Sequence, residues 1–188
     1  MIFEDESGFS LVSPLKRTWA PRGQTPVTRT SLNHHERLNL LGALLVTPRG
    51  RKLKLKVHAH PHNLTGDEVI TFLKDLLQQV HGAIVLVWDN RPIHQRRKVQ
   101  AFLAQHPRLH VYNFPTCAPE LNPVEWLWNQ IGEYTASTAP RNPTELRANV
   151  YAGLARTRNS QKRLRVCLLA SDLSWKSNEL GHYLFKTQ

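Results

Sequence analysis

Ile84-Val85-Leu86-Val87-Trp88-Asp89-Asn90 is the stretch on which the fold turns. Five apolar residues follow His81-Gly82-Ala83 and stop on an acid. A short unbroken apolar run of this kind reads as a strand buried on both faces, as in a parallel sheet. A carboxylate at the C-terminal end of such a strand lies where open α/β sheets place their ligands. Pro92 then opens a basic helix over about residues 92–105, with Arg96, Arg97 and Lys98 outward and Val99, Phe102 and Leu103 inward.

Downstream, 109–114 reads as a further strand. Asn122-Pro123-Val124-Glu125 then starts a helix, with Asn122 as N-cap and Pro123 at N1. Val124, Leu127, Trp128 and Ile131 form its apolar stripe. Glu125 falls at N3, where an acid commonly serves as a cap partner. The same pattern returns at Asn142-Pro143-Thr144-Glu145, so local sequence alone does not separate Glu125 from Glu145. The helix from Pro143 turns Leu146, Val150 and Leu154 inward, residues 156–165 are basic and polar, and 166–170 and 183–185 are short apolar pieces.

Upstream, Thr65-Gly66-Asp67-Glu68 is a capping box. It opens a helix with Val69, Ile70, Leu73, Leu76, Leu77 and Val80 on one face. Residues 38–47 are strongly apolar. Lys52, Lys54 and Lys56 then alternate with Leu53, Leu55 and Val57, the period of a half-buried antiparallel strand, with a turn at 48–50 between the two. His58, His60 and His62 repeat every second residue. Three histidines on one strand face can hold a metal, but Pro61 interrupts them and no acid or cysteine adjoins them, so the sequence argues against a metal there. Residues 1–5 read as a strand carrying Asp5, with 9–12 as its hairpin partner across Ser7-Gly8. Residues 27–31 read as a weak strand, and Trp19 as a packing residue.

The chain has 188 residues, with 25 Lys and Arg against 14 acids, for a net charge of +11. A surplus of that size is expected where phosphates are neutralised. It is concentrated between Ser7 and Gly66, where ten basic residues face the single acid Glu36. Cys117 and Cys167 form no CxxC pair, which excludes a cysteine-rich zinc site and a disulfide framework and points to a reducing compartment. No signal peptide or membrane-length apolar run is present. Asp5, Asp89 and Glu125 stand on three separate elements. Paired divalent cations roughly 3.5–4 Å apart serve the attacking and leaving oxygens of phosphodiester chemistry and need about three converging carboxylates. The pattern points to a metal-dependent enzyme acting on nucleic acid.

Asp5-Glu6, Trp19-Ala20-Pro21-Arg22-Gly23, Val87-Trp88-Asp89-Asn90 with His94, and Ala118-Pro119-Glu120-Leu121-Asn122-Pro123-Val124-Glu125 with Trp128 together resemble the DDE catalytic domain of the bacterial insertion-sequence branch of the mariner-type transposase superfamily. The resemblance covers about residues 1–135, and its last motif is the most specific. It implies a ribonuclease-H-like fold: a mixed five-stranded sheet flanked by helices, antiparallel first and parallel around Asp89. It implies that Asp5, Asp89 and Glu125 are both the catalytic acids and the metal ligands, that two Mg²⁺ or Mn²⁺ ions are the cofactors, and that DNA is cut and joined. Glu6, Asn90, His94 and Asn122 match positions near the site. The expected division is a catalytic domain over 1–160 and a C-terminal packing segment over 161–188.

Two departures stand out. Gly132 occupies a position that is often basic, and no helix-turn-helix module precedes Met1. The expected partners are therefore element-end and target DNA, a helix-turn-helix chain encoded upstream, and a second copy of this chain, in the bacterial cytoplasm at the nucleoid and with no membrane. A nuclease of the same fold, or a catalytically silent DNA-binding fragment, are the alternatives.

Overall fold

The structure is a computed structural model and describes residues 1–11, 20–24, 37–48, 50 and 52–173. Strand β1 (Ile2–Ser10) is followed by β2 (Arg37–Val46), β3 (Leu53–His60) and helix α1 (Gly66–Gln79). Then come β4 (Ile84–Trp88), α2 (Arg97–Ala104), β5 (Leu109–Asn113), α3 (Pro123–Thr138), α4 (Pro143–Arg158) and α5 (Gln161–Ala170). The five strands form one sheet in the order β3-β2-β1-β4-β5. β1 and β3 run antiparallel to β2, and β4 runs parallel to β1 and to β5.

Period-two alternation divides the side chains between two cores. Phe3, Leu40, Leu44, Leu53 and Leu55 meet Val124, Leu127 and Trp128 of α3 on one face, with α4 and α5 behind. Ile2, Leu41, Ile84, Leu86 and Trp88 meet Phe72, Leu73 and Leu76 of α1 and Val99 of α2 on the other. β2 is covered on both faces, which explains its continuous apolar run. The capping box at Thr65 forms as read, and Asn122 and Asn142 cap α3 and α4. Among the described residues, no helix is long and apolar enough to cross a membrane.

Two sequence readings need correction. β1 does not fold back at Ser7-Gly8. It runs unbroken, pairing with β2 from Ile2↔Leu45 to Ser10↔Arg37, so the ladder with β2 replaces the expected hairpin. α2 starts at Arg97 rather than Pro92. The residues after Pro92 form a tight turn that folds the His94 ring beneath Trp88, stacked at 4.0 Å. Residues 161–170 form a full helix, and Gln161 fastens it to β3 by hydrogen bonds to both the N–H and the C=O of Leu53. The readings for Trp19, residues 27–31 and residues 183–185 lie outside the described residues.

Candidate active site

β1 is paired with β2 along its whole length but with β4 only at Ile2↔Leu86 and Phe3↔Val87. Beyond Phe3 the two strands part. Asp5 comes from β1, Asp89 from the residue after β4, and Glu125 from the first turn of α3. All three line one cavity of about 300 Å³, together with Asn90, Arg91 and Asn122. A split between strands of opposite connection is where an open α/β sheet leaves room for a ligand.

Each acid is held by its own device. The Trp128 indole Nε1 donates to Asp5 Oδ2 at 3.0 Å. That ring lies over Gly42, the residue paired with Asp5 on β2. A Cβ at Gly42 would stand 2.5 Å from Trp128 Cη2, so only glycine leaves room for the ring. Asn122 does two jobs. Its Oδ1 accepts from Val124 N–H, capping α3, and its Nδ2 donates to the Glu4 carbonyl at 3.1 Å. The cap therefore ties the start of α3, and with it Glu125, to the strand that carries Asp5. Asp89 accepts from Arg91 N–H at 3.0 Å, which closes a turn after β4.

On the other face of β1, Glu4 and Glu6 converge on the buried ring of His94. His94 Nε2 stands 3.3 Å from Glu4 and 3.1 Å from Glu6, and Nδ1 stands 3.3 Å from an Asp89 oxygen. Burial works against charge on this ring, but its contacts with Asp89, Glu4 and Glu6 outweigh burial and push its pKa up to about 12. The carboxylates around His94 thus favour its charged form beneath the acids. Burial also opposes charge on Asp89, yet the His94 and Arg91 hydrogen bonds hold it below its usual value. For Asp5 the hydrogen bond from Trp128 does not offset its surroundings. Burial, then the charges of Glu125, Glu4, Glu6 and Asp89, raise it to about 9. Glu125 is raised by burial and by Asp89, with Arg91 opposing. Burial and then Glu6 bring Glu4 to about 7.

The donor set fits a hard cation. One oxygen each from Asp5, Glu6 and Asp89 lie within 4.8 Å of one another. Glu4 Oε2 and Glu6 Oε1 face the His94 ring, and Glu4 Oε1 is left with no hydrogen-bond partner. Carboxylates crowded together so that they repel one another are what Mg²⁺ or Mn²⁺ requires. Glu125 stands on the wall of the same cavity, outside that tight trio.

The structure therefore gathers all three acids expected from sequence around one cavity, with Asn90 and Asn122 on its lining and His94 underneath. Glu145 is elsewhere, paired with Arg141. Glu6 and Trp128, which the sequence places near the site only through the resemblance, take definite positions: Glu6 reaches Asp89 where the strands part, and Trp128 donates to Asp5. Gly42 is the contributor that the sequence reading leaves out, although a glycine inside an apolar strand marks close approach by another group.

A mixed sheet of this order, covered by helices on both faces and split beside its acids, defines a ribonuclease-H-like α/β domain with an acidic cavity. Solved structures agree on the fold. One is a Mos1 transposase paired-end complex with the left transposon end, with a TM-score of 0.52, 15% identity, and coverage of 91% of this chain and 55% of that one. Another is the Mos1 transposase catalytic domain with Raltegravir and Mg, with a TM-score of 0.52, 14% identity, and coverage of 93% and 85%. Sequence narrows the class. Residues 1–147 match the family described as DDE superfamily endonuclease, and the chain belongs to it. It is also 30% identical over 134 residues to the insertion element IS630 uncharacterized 39 kDa protein of Shigella sonnei, which covers 70% of this chain and 37% of that protein. The chain thus spans little more than a third of that relative.

Proposed function

We propose that this chain is the catalytic domain of an insertion-sequence transposase that cleaves and joins DNA with divalent ions held by Asp5, Asp89 and Glu125. The observation that carries the reading is the convergence of these three acids on one cavity at the parting of β1 and β4. The resemblance of the motifs and the family membership support it, as do DNA-bound structures of the like-folded Mos1 transposase. Mg²⁺ or Mn²⁺, when bound, supplies Lewis-acid stabilisation of charge on phosphoryl oxygens. The chain's own residues do the rest. Asp5, Asp89 and Glu125 provide the ligand oxygens, with Glu6 beside them. Trp128 orients the Asp5 carboxylate, His94 balances the surplus negative charge from below, and Asn122 sets the position of Glu125. The partners on this reading are element-end and target DNA, a helix-turn-helix chain encoded upstream and a second copy of this chain, at the bacterial nucleoid.

The test is cleavage of DNA carrying the element's ends, with the helix-turn-helix partner supplied. Asp89→Asn and Glu125→Gln should each lose Mg²⁺- or Mn²⁺-dependent cleavage by roughly 10²-fold or more, with fold and DNA binding retained. Glu145→Gln should cleave like wild type. Joined product in addition to nicked product separates a transposase from a nuclease of the same fold. Equal cleavage by Asp89→Asn would remove the site assignment. An inert wild type would leave a silent DNA-binding fragment as the better reading.

A further inference from the structure

The histidine row at the end of β3 and just beyond it divides in two. His58 is engaged, its Nε2 at 2.7 Å from Asp75 of α1 and its ring edge-on to Phe72. His60 and His62 turn instead to the start of α1, where Glu68 meets them. One ligand atom from each of His60, His62 and Glu68 lies within 4.8 Å of the other two. The acid that the linear sequence did not place beside the histidines is supplied by the next element.

We propose that His60, His62 and Glu68 form a second metal site, apart from the acidic cavity, that takes a dication of the Zn²⁺ kind. Four observations support it. His60 Nε2 is buried and has no hydrogen-bond partner. His62 Nδ1 lies 3.1 Å from the Asn63 carbonyl; donation there leaves the Nε2 lone pair for a metal, the usual outer-sphere arrangement of a ligating histidine. One Glu68 oxygen accepts from Thr65 N–H at 2.7 Å and from Thr65 Oγ1 at 2.6 Å, leaving the second oxygen for a ligand role. The backbone is held as well, because Asn39 pairs with His60 across the ladder and its side chain donates to the His62 carbonyl at 2.9 Å.

The chemistry selects the ion. Two imidazoles and a carboxylate form a borderline donor set that suits Zn²⁺, whereas Mg²⁺ prefers oxygen alone. Tetrahedral ligands at about 2.0–2.2 Å from zinc lie about 3.4 Å apart, so small side-chain rotations close the set. Such an ion would staple the end of β3 to the first turn of α1. It would also fix the connection that includes Asn63 and Leu64, which wall a groove of about 560 Å³ running past Arg37 and Arg91 to Glu125.

Zn²⁺ titration of the full chain, with excess Mg²⁺ present to occupy the acidic cavity, tests this. One Zn²⁺ should bind per chain, and at a hundredfold excess over Kd it should raise the thermal midpoint by roughly 5–10 °C. In wild type, histidine-ring NMR should show the His60 and His62 resonances moving and that of His58 unmoved. Outer-sphere partners alone are worth roughly 10–100-fold in metal affinity, so loss of a ligand in His60→Ala, His62→Ala or Glu68→Gln should weaken binding at least tenfold. Glu68→Gln keeps the capping box intact. Asp89→Asn and His58→Gln should bind Zn²⁺ like wild type. Zn²⁺ binding that Asp89→Asn abolishes, or that persists unchanged without His60 and His62, would overturn the proposal, as would unmoved His60 and His62 resonances. None of these readouts depends on DNA cleavage.

Discussion

At the scale of single residues, Asp5 shows most clearly how position creates chemistry. Its pKa of about 9, against an ordinary 3.8, means the unfolded chain gives up this proton before the folded chain does. Metal-free stability should therefore fall as pH rises from about 4 towards 9. A cation that binds the ionised carboxylate must expel the proton. Mn²⁺ or Mg²⁺ binding near pH 7 should thus release protons, seen as a calorimetric enthalpy that varies with the ionisation enthalpy of the buffer. The stabilisation given by the ion should grow between pH 7 and 9, the values reached by Glu4 and Asp5. An enthalpy independent of buffer would mean that Asp5 is already ionised without metal. The same carboxylate depends on Gly42. Gly42→Ala would push Trp128 off its seat and cost about 1–3 kcal/mol, and it should also weaken metal binding. Trp128→Phe removes the donor to Asp5 together with the buried ring atoms over Gly42, so it should weaken metal binding and also cost stability through the cavity it leaves. Urea unfolding and Mn²⁺ titration of the two variants check this together.

At the scale of elements, the sequence was most legible where one element explains itself. The apolar run of β4, the capping box of α1 and the Asn-Pro starts of α3 and α4 follow from local rules. It was least legible where two elements decide jointly. Ser7-Gly8 looked like a turn, and only the ladder with β2 keeps β1 straight through it. Pro92 looked like a helix start, but the stacking of His94 on Trp88 delays α2. Asn122 and Asn142 sharpen the contrast, since they are the same residue in the same local pattern. Asn142 is exposed and caps α4 alone. Asn122 is buried and uses both ends of its amide, one on α3 and one on β1. Asn142→Ala should therefore cost about 1 kcal/mol. Asn122→Ala should cost about 2–3 kcal/mol, because it also leaves the Glu4 carbonyl buried and unpaired. Asn122→Asp keeps the cap acceptor and loses the donor, so it should fall between wild type and Asn122→Ala. Equal costs for the two alanine variants would show that the β1 tether contributes nothing.

At the scale of the whole molecule, the net charge of +11 says that phosphate contact is favourable but not where it occurs. The lysines of β3 are the conspicuous basic pattern in the sequence, yet strand register places them badly for the cavity. Asp5 pairs with Gly42, and Gly42 pairs with Val57, so Lys54 and Lys52 lie further back along the sheet. Lys56 is already paired with Asp75. Arg37 and Arg91 instead line the groove that reaches Glu125. A DNA strand drawn along that groove to the acids passes these arginines and misses the lysines. Each phosphate neutralised contributes about 0.9 to the slope of log K against log salt on duplex DNA. Arg37→Gln should therefore lower the slope by about 0.9, while Lys52→Ala with Lys54→Ala should leave it nearly unchanged. Fluorescence anisotropy across a salt series measures both. A slope that falls by about 1.8 in the double lysine variant and stays fixed in Arg37→Gln would move the DNA path to the β3 edge, away from the groove.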